Sequence, residues 1–214
     1  MVVALFGPDG SGKTTVAEAL LIRLGETRFR GGHYARRSLG VLPRHRDVKR
    51  RLARAAGLDQ AAAAPAGPAG HPALLPPVGR LRSLLFPAWQ ALDLALGRRR
   101  LARLRAAGRL VVFDRYFHDC YLQSGSRNAP VWYLDLLERT VPRPDLLLYL
   151  DDDADAIFRR KPELPVAEIR RQQAAARSAV ARLPHARTID ARGGAEATVE
   201  AAVEAVLALM ETRR

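Results

Sequence analysis

Residues 7 to 15 read GPDGSGKTT, between the apolar run VVALF and the helix-like VAEALLIRL. Gly7, Gly12, Lys13 and Thr14 fall at the spacing G-x-x-x-x-G-K-[ST]. A loop of this kind is suited to holding a polyphosphate. Gly7, Pro8, Asp9, Gly10, Ser11 and Gly12 lead the chain around the phosphates with backbone N–H groups turned inward, and the following helix adds its positive N-terminal end. Lys13 then reaches the β- and γ-phosphates, the Thr14 hydroxyl ligates Mg²⁺, and Thr15 is placed to donate to the α-phosphate. The expected ligands are ATP and Mg²⁺. Asp9 is unusual inside a loop built for anions. It reads either as a turn former before Gly10 or as a group on the acceptor side, taking a hydrogen bond from a substrate hydroxyl or a metal-bound water.

A second group of residues follows the apolar run Leu110–Phe113, where Asp114, Arg115 and Tyr116 stand in line. A carboxylate at the carboxyl end of a neighbouring strand is where a phosphate-loop enzyme needs one, to hold the Mg²⁺ shell. Arg115 offers a planar fork for an acceptor phosphate.

These groups need a scaffold that brings them together. Short continuous apolar runs at Val2–Phe6, Leu110–Phe113 and Leu146–Leu150, with weaker ones at Arg187–Ile189 and near His33–Tyr34, predict parallel strands covered on both faces. Helical stripes lie between them: Val16, Leu20, Leu21 and Leu24, closed by Gly25, and Val199, Val203, Val206, Leu207 and Met210 near the end. The alternation predicts an α/β fold, a doubly wound parallel sheet with helices on both faces. Ligands then bind beyond the carboxyl ends of the strands. Residues 61 to 79 hold five prolines, three glycines and no charge, which predicts a loop excursion. It follows a basic run at 36 to 54.

The 214 residues, 48% of them hydrophobic, suit one domain. No apolar stretch approaches the roughly 20 residues that span a bilayer, and the N-terminus predicts a first strand and no signal peptide. A single cysteine, Cys120, excludes an internal disulfide and fits a reducing cytoplasm. The net charge is +13, yet only Lys13, Lys49 and Lys161 of the 35 basic residues are lysines. The arginine excess reads equally as a solvated surface and as attraction for a polyanion.

GPDGSGKTT, AAGRLVVFDRYFHD (106 to 119), VPRPDLLLYLD (141 to 151) and the run Thr188-Ile189-Asp190-Ala191 together carry a resemblance. The chain resembles the thymidylate kinase family, in particular its divergent thymidylate-kinase-like branch; the middle, 36 to 79, matches poorly. The resemblance implies a single P-loop kinase domain over 1 to 214, acting in the cytoplasm in nucleotide biosynthesis, with dTMP converted to dTDP. It implies that Asp9 contacts the acceptor sugar, Asp114 the Mg²⁺ or its waters, Arg115 the acceptor phosphate, and Tyr116 the region of the sugar. It also implies an arginine-bearing lid, placed at 156 to 165, with Arg159, Arg160 and Lys161 clustered there and Arg159 or Arg160 as the lid arginine. Such cations meet the charge that develops on the transferring phosphoryl group.

One departure bears on the substrate. Thymidylate kinases carry a segment resembling F-x-A-x-R to stack on and bond the thymine, whereas residues 84 to 97 read LLFPAWQALDLALG. Phe86 and Trp89 are the stacking candidates, and Gln90 and Asp93 the polar ones. Leu85, Trp89, Leu92 and Leu96 read equally as a buried helix face. Three functions stay open: a nucleoside monophosphate kinase, a related kinase with another small-molecule or sugar acceptor, and a P-loop ATPase or nucleic-acid-binding module. Asp114-Arg115 suits an acceptor phosphate better than an activated water, so nucleic acid is the least expected partner, with a membrane excluded and a homodimer left open.

Overall fold

The structure, a computed structural model, describes residues 1–43, 47, 76–123, 126 and 128–213. Five strands are all parallel, in the order β2-β3-β1-β4-β5. They are β1 (Val2–Phe6), β2 (Gly32–Arg36), β3 (Leu110–Asp114), β4 (Leu146–Asp151) and β5 (Ala186–Asp190). Each covers a predicted run. The helices are α1 (Lys13–Leu24), α2 (Pro76–Leu96), α3 (Arg98–Ala106), α4 (Val131–Glu138), α5 (Ala154–Arg160), α6 (Val166–Arg182) and α7 (Gly194–Glu211), with a 3₁₀ turn at Phe117–Tyr121.

Burial on both faces explains why the strands read as unbroken apolar runs. Val3 and Leu5 of β1 face a layer made by Val16, Ala17, Leu20 and Leu24 of α1 and Val199, Ala202 and Val206 of α7. Val2, Ala4 and Phe6 face the opposite layer, with Ala91 and Leu94 of α2, Leu101 of α3, Leu134 of α4 and Ala176 of α6. β1 therefore lies mid-sheet between β3 and β4, and the chain leaves it in both directions. That reversal of strand order opens a crevice at the carboxyl ends. The loops after β1 and β3 are neighbours there, with Leu5 opposite Asp114 in register.

Three sequence expectations change. Gly25 closes α1, but with φ −57° and not in the left-handed form. A Cβ there would stand 3.2 Å from the Gly32 amide nitrogen and 2.3 Å from the Leu21 carbonyl, so close approach is its reason. Residues 76 to 79 of the expected excursion open helix α2; a proline is tolerated in a first turn, where its missing N–H leaves no bond unmade. Residues 61 to 75 lie outside the described residues. The third change concerns α2 itself. Leu85, Leu92 and Leu96 are about half exposed, and the buried side carries Ser83, Gln90, Ala91, Asp93 and Leu94 instead.

Polar atoms hold that inner side. The buried Asp93 carboxylate accepts from the backbone N–H of Leu39 at 2.8 Å, Val41 at 3.0 Å and Leu42 at 2.7 Å. It pins the segment leaving β2. Its place in reading a base is thereby corrected to a structural one, because the three amides use both of its oxygens. Asp93→Ala should cost about 3 kcal/mol, since three backbone donors, that of Leu39 buried, lose a charged partner. Urea unfolding of the variant measures this, and an unchanged midpoint would count against the anchoring role.

Candidate active site

The loop after β1 turns because its glycines permit it. Gly10 and Gly12 take φ +91° and +87°. A Cβ at Gly12 would meet nothing within 4 Å, so only its backbone conformation demands glycine. At Gly10 a Cβ would lie 3.2 Å from Lys161 Cβ and 3.3 Å from Ile157 Cγ2, so the end of α5 sits directly on the loop. Asp153 caps that helix by accepting from the Ala156 N–H at 2.9 Å.

Lys13 is buried, and its ammonium donates to the Gly7 carbonyl at 2.9 Å, to the Pro8 carbonyl and to Ser11 Oγ at 3.2 Å. Burial pushes its pKa down to about 8, while Asp119 and Asp114 pull the other way. The Thr14 hydroxyl donates to Asp114 Oδ2 at 2.7 Å, and Tyr34 of β2 donates to the same oxygen at 2.8 Å. Partial burial and that bond push the Tyr34 phenol up to about 12. The spacing of Thr14 Oγ1 and Asp114 Oδ2 is close to the roughly 2.9 Å between adjacent oxygens of an octahedral Mg²⁺ shell. The pair fits a cation that keeps most of its waters.

A cavity of about 380 Å³ runs along the loop. Asp9 to Val16, Asp114, Arg115, Arg160 and Lys161 line it. Arg36 of β2 and, beyond β5, Ala191, Gly194, Ala195 and Thr198 complete the wall. Arg159, on the same turn of α5, is not among the lining residues. Arg160 is paired with buried Asp152 and Lys161 with Glu163 at 3.3 Å. Arg115 is held between Asp9 and Asp119. Both Arg37 and Arg115 have positive φ, 64° and 77°, unusual for side-chain-bearing residues and concentrated at this end of the sheet.

The predicted acceptor residues fare unevenly. Phe86 is half-buried beneath the Arg37 guanidinium, 5.7 Å from the ring centroid. Trp89 is half-buried. Gln90 is buried, accepting from Cys120 Sγ at 3.3 Å and donating to the Arg37 carbonyl at 3.5 Å. None of the three lines the cavity. Tyr116 corrects the expectation most clearly. The left-handed backbone at Arg115 ends β3 and sends Tyr116 into the core, where its ring lies 4.8 Å from Phe113 and its hydroxyl donates to the Pro142 carbonyl.

Sequence reading missed Tyr34, Arg36 and Asp119. The first two were legible, since period two puts both on the face of β2 opposite buried Ala35. Asp119 gave no signal, because a 3₁₀ turn brings it under Arg115.

Tyr116 lines a separate cavity of about 490 Å³, together with His118, Tyr121, Glu138, Arg143 and His185. Burial, with Arg143 and His118 nearby, pushes His185 down to about 4. An unfolded histidine near 6.5 binds protons that the folded one rejects, so stability should fall as pH drops from about 6.5 to 4. His185→Gln should flatten that part of the stability profile. An unchanged slope in thermal melts of the variant would refute it.

With this geometry in place, one comparison decides the architecture. A solved thymidylate kinase from Ehrlichia chaffeensis superposes with a TM-score of 0.64, covering 96% of this chain and 98% of that one at 18% identity. The fold is that of a P-loop kinase. No family model matches the chain, and no curated protein matches it. At this identity the likeness speaks for architecture alone. Among the described residues no helix is long and apolar enough to cross a membrane.

Proposed function

We propose that the chain is a phosphotransferase that moves the γ-phosphoryl group of ATP to a small acceptor. What carries this reading is the meeting of Lys13, Thr14 and Asp114 at the head of α1, on one cavity that Arg160 and Lys161 also line. Backbone N–H groups of Gly10 to Thr15 and the start of α1 hold the phosphates. Lys13 exchanges its loop carbonyls for phosphate oxygens. Thr14 and Asp114 would hold Mg²⁺, which supplies charge neutralisation between the β- and γ-phosphates when bound. Tyr34 steadies the Asp114 carboxylate, and Arg160 meets charge on the phosphoryl group in flight. The wall formed by Ala191, Gly194, Ala195 and Thr198 suits the nucleoside of the donor.

A nucleoside monophosphate acceptor, with dTMP converted to dTDP, is what the resemblance and the likeness of fold support. A related kinase with another acceptor is favoured by one observation, the engagement of Arg115 by two carboxylates. The ATPase or nucleic-acid reading has the net charge alone behind it. We place the reaction in the cytoplasm and keep the homodimer as a proposal for light scattering. The test is calorimetric titration with Mg²⁺-ATP, then transfer of labelled γ-phosphate to a panel of nucleoside monophosphates and sugars. Absence of ATP binding would remove the phosphotransferase reading. Hydrolysis without any acceptor would move it to the ATPase.

A further inference from the structure

We infer that the acceptor is a neutral alcohol, the hydroxyl of a sugar or nucleoside, and that Asp9 receives its proton; this rests on the phosphotransferase reading above. The observation is the setting of Arg115. One terminal nitrogen of its guanidinium is engaged by Asp9, and the other donates to Asp119 Oδ2 at 3.1 Å. An arginine that receives a phosphate does so with the two arms of an open fork. Here a carboxylate sits on each arm. The Asp119 side chain is 2% exposed and its Oδ1 is buried with no partner, while its Oδ2 accepts from Arg115 and from Gln123 Nε2 at 3.4 Å, with Lys13 nearby.

The charge balance on this side is unfavourable for a phosphate. Asp9 and Asp119 offset Arg115 and Arg36. The further cations of the cavity, Lys13, Arg160 and Lys161, lie along the loop that holds the donor triphosphate, with Arg37 set over the Phe86 ring. The donor triphosphate already bears about four negative charges, and a phosphomonoester brought alongside would be repelled by it. An alcohol adds no charge. What it needs is a group for its proton, and Asp9 is suited to that. Its side chain is 33% exposed, it lies on the cavity wall, and it belongs to the loop that holds the triphosphate. Arg115 engages Asp9 Oδ1 and so orients the carboxylate, leaving Oδ2 to accept from the substrate hydroxyl.

The step balances. The hydroxyl oxygen forms a bond to Pγ while the bond from Pγ to the β,γ-bridging oxygen breaks. ADP leaves with that electron pair, and the hydroxyl proton passes to Asp9 and then to solvent. The product is a phosphoester, whereas a nucleoside monophosphate acceptor would give a phosphoanhydride.

The experiment offers Mg²⁺-ATP with matched pairs, thymidine against dTMP and glycerol against glycerol 3-phosphate, together with a set of free sugars. Phosphorus NMR identifies the bond formed. The expected result is a phosphoester on an unphosphorylated alcohol; the nucleoside, glycerol and sugar arms distinguish its source. A phosphoanhydride on dTMP overturns the inference, and so does failure of every alcohol in a protein that binds ATP. A protein that binds no ATP overturns the phosphotransferase reading itself. Asp9→Asn should lower kcat for the alcohol by about 10²- to 10⁴-fold in a protein that still binds ATP. An undiminished kcat in that variant removes Asp9 as the proton acceptor.

Discussion

Lys13→Ala is expected to give a folded protein whose phosphoryl transfer is lower by about 10³-fold, the scale of losing a donor aimed at developing charge. The loss should appear in kcat more than in the KM for ATP, because Lys13 touches charge that grows at the transition state. In the structure its ammonium is occupied by the Gly7 and Pro8 carbonyls and Ser11 Oγ, partners it must release for phosphate oxygens. A second readout needs no substrate. The folded ammonium loses its proton near pH 8, whereas the unfolded one holds it to about 10.5. Between those values the unfolded chain binds more protons, so stability should rise with pH. Lys13→Ala should lack that rise. Turnover at the parent rate in the folded variant would sink the assignment of the loop.

The next largest effect is expected at Arg160. Its end of α5 rests on Gly10, it lines the cavity, and Asp152 beneath it fixes the direction of the guanidinium. Arg160→Ala should slow transfer by about 10³-fold with little change in nucleotide affinity, as for other arginines that meet a transferring phosphoryl group. Arg159→Ala should be close to silent, since Arg159 is absent from the cavity wall. Single-turnover rates of the two variants separate these outcomes. Equal losses in both would move the charged contact off Arg160.

The same residues show how far sequence alone reaches. Strands and the phosphate loop were legible because parallel strands buried on both sides leave unbroken apolar runs, and because a loop that wraps phosphate admits few residue types. Asp114 followed from its place at a strand end. Side-chain direction past that point did not. A left-handed residue at Arg115 reverses where Tyr116 goes, and strand periodicity cannot report it. The inner face of α2 misled for another reason. Its buried positions include Gln90 and Asp93, polar residues that hold the segment after β2, and among its described leucines only Leu94 is buried, so counting leucines selected the outer side. Asp119 meets Arg115 only through the 3₁₀ turn, four residues away in sequence and out of reach of any pattern.

The lone thiol has a practical use. Cys120 is fully buried on that 3₁₀ turn, one residue after Asp119, and burial raises its pKa far above the ordinary thiol range. Alkylating reagents attack thiolate at the surface, so the native protein should resist them and the opened one should not. With no second cysteine to confuse the signal, the rate of labelling counts how often this turn comes away from the sheet. The protein thus carries a built-in clock for local opening beside the proposed site. Slower labelling on addition of nucleotide would time the tightening of that region without any introduced probe.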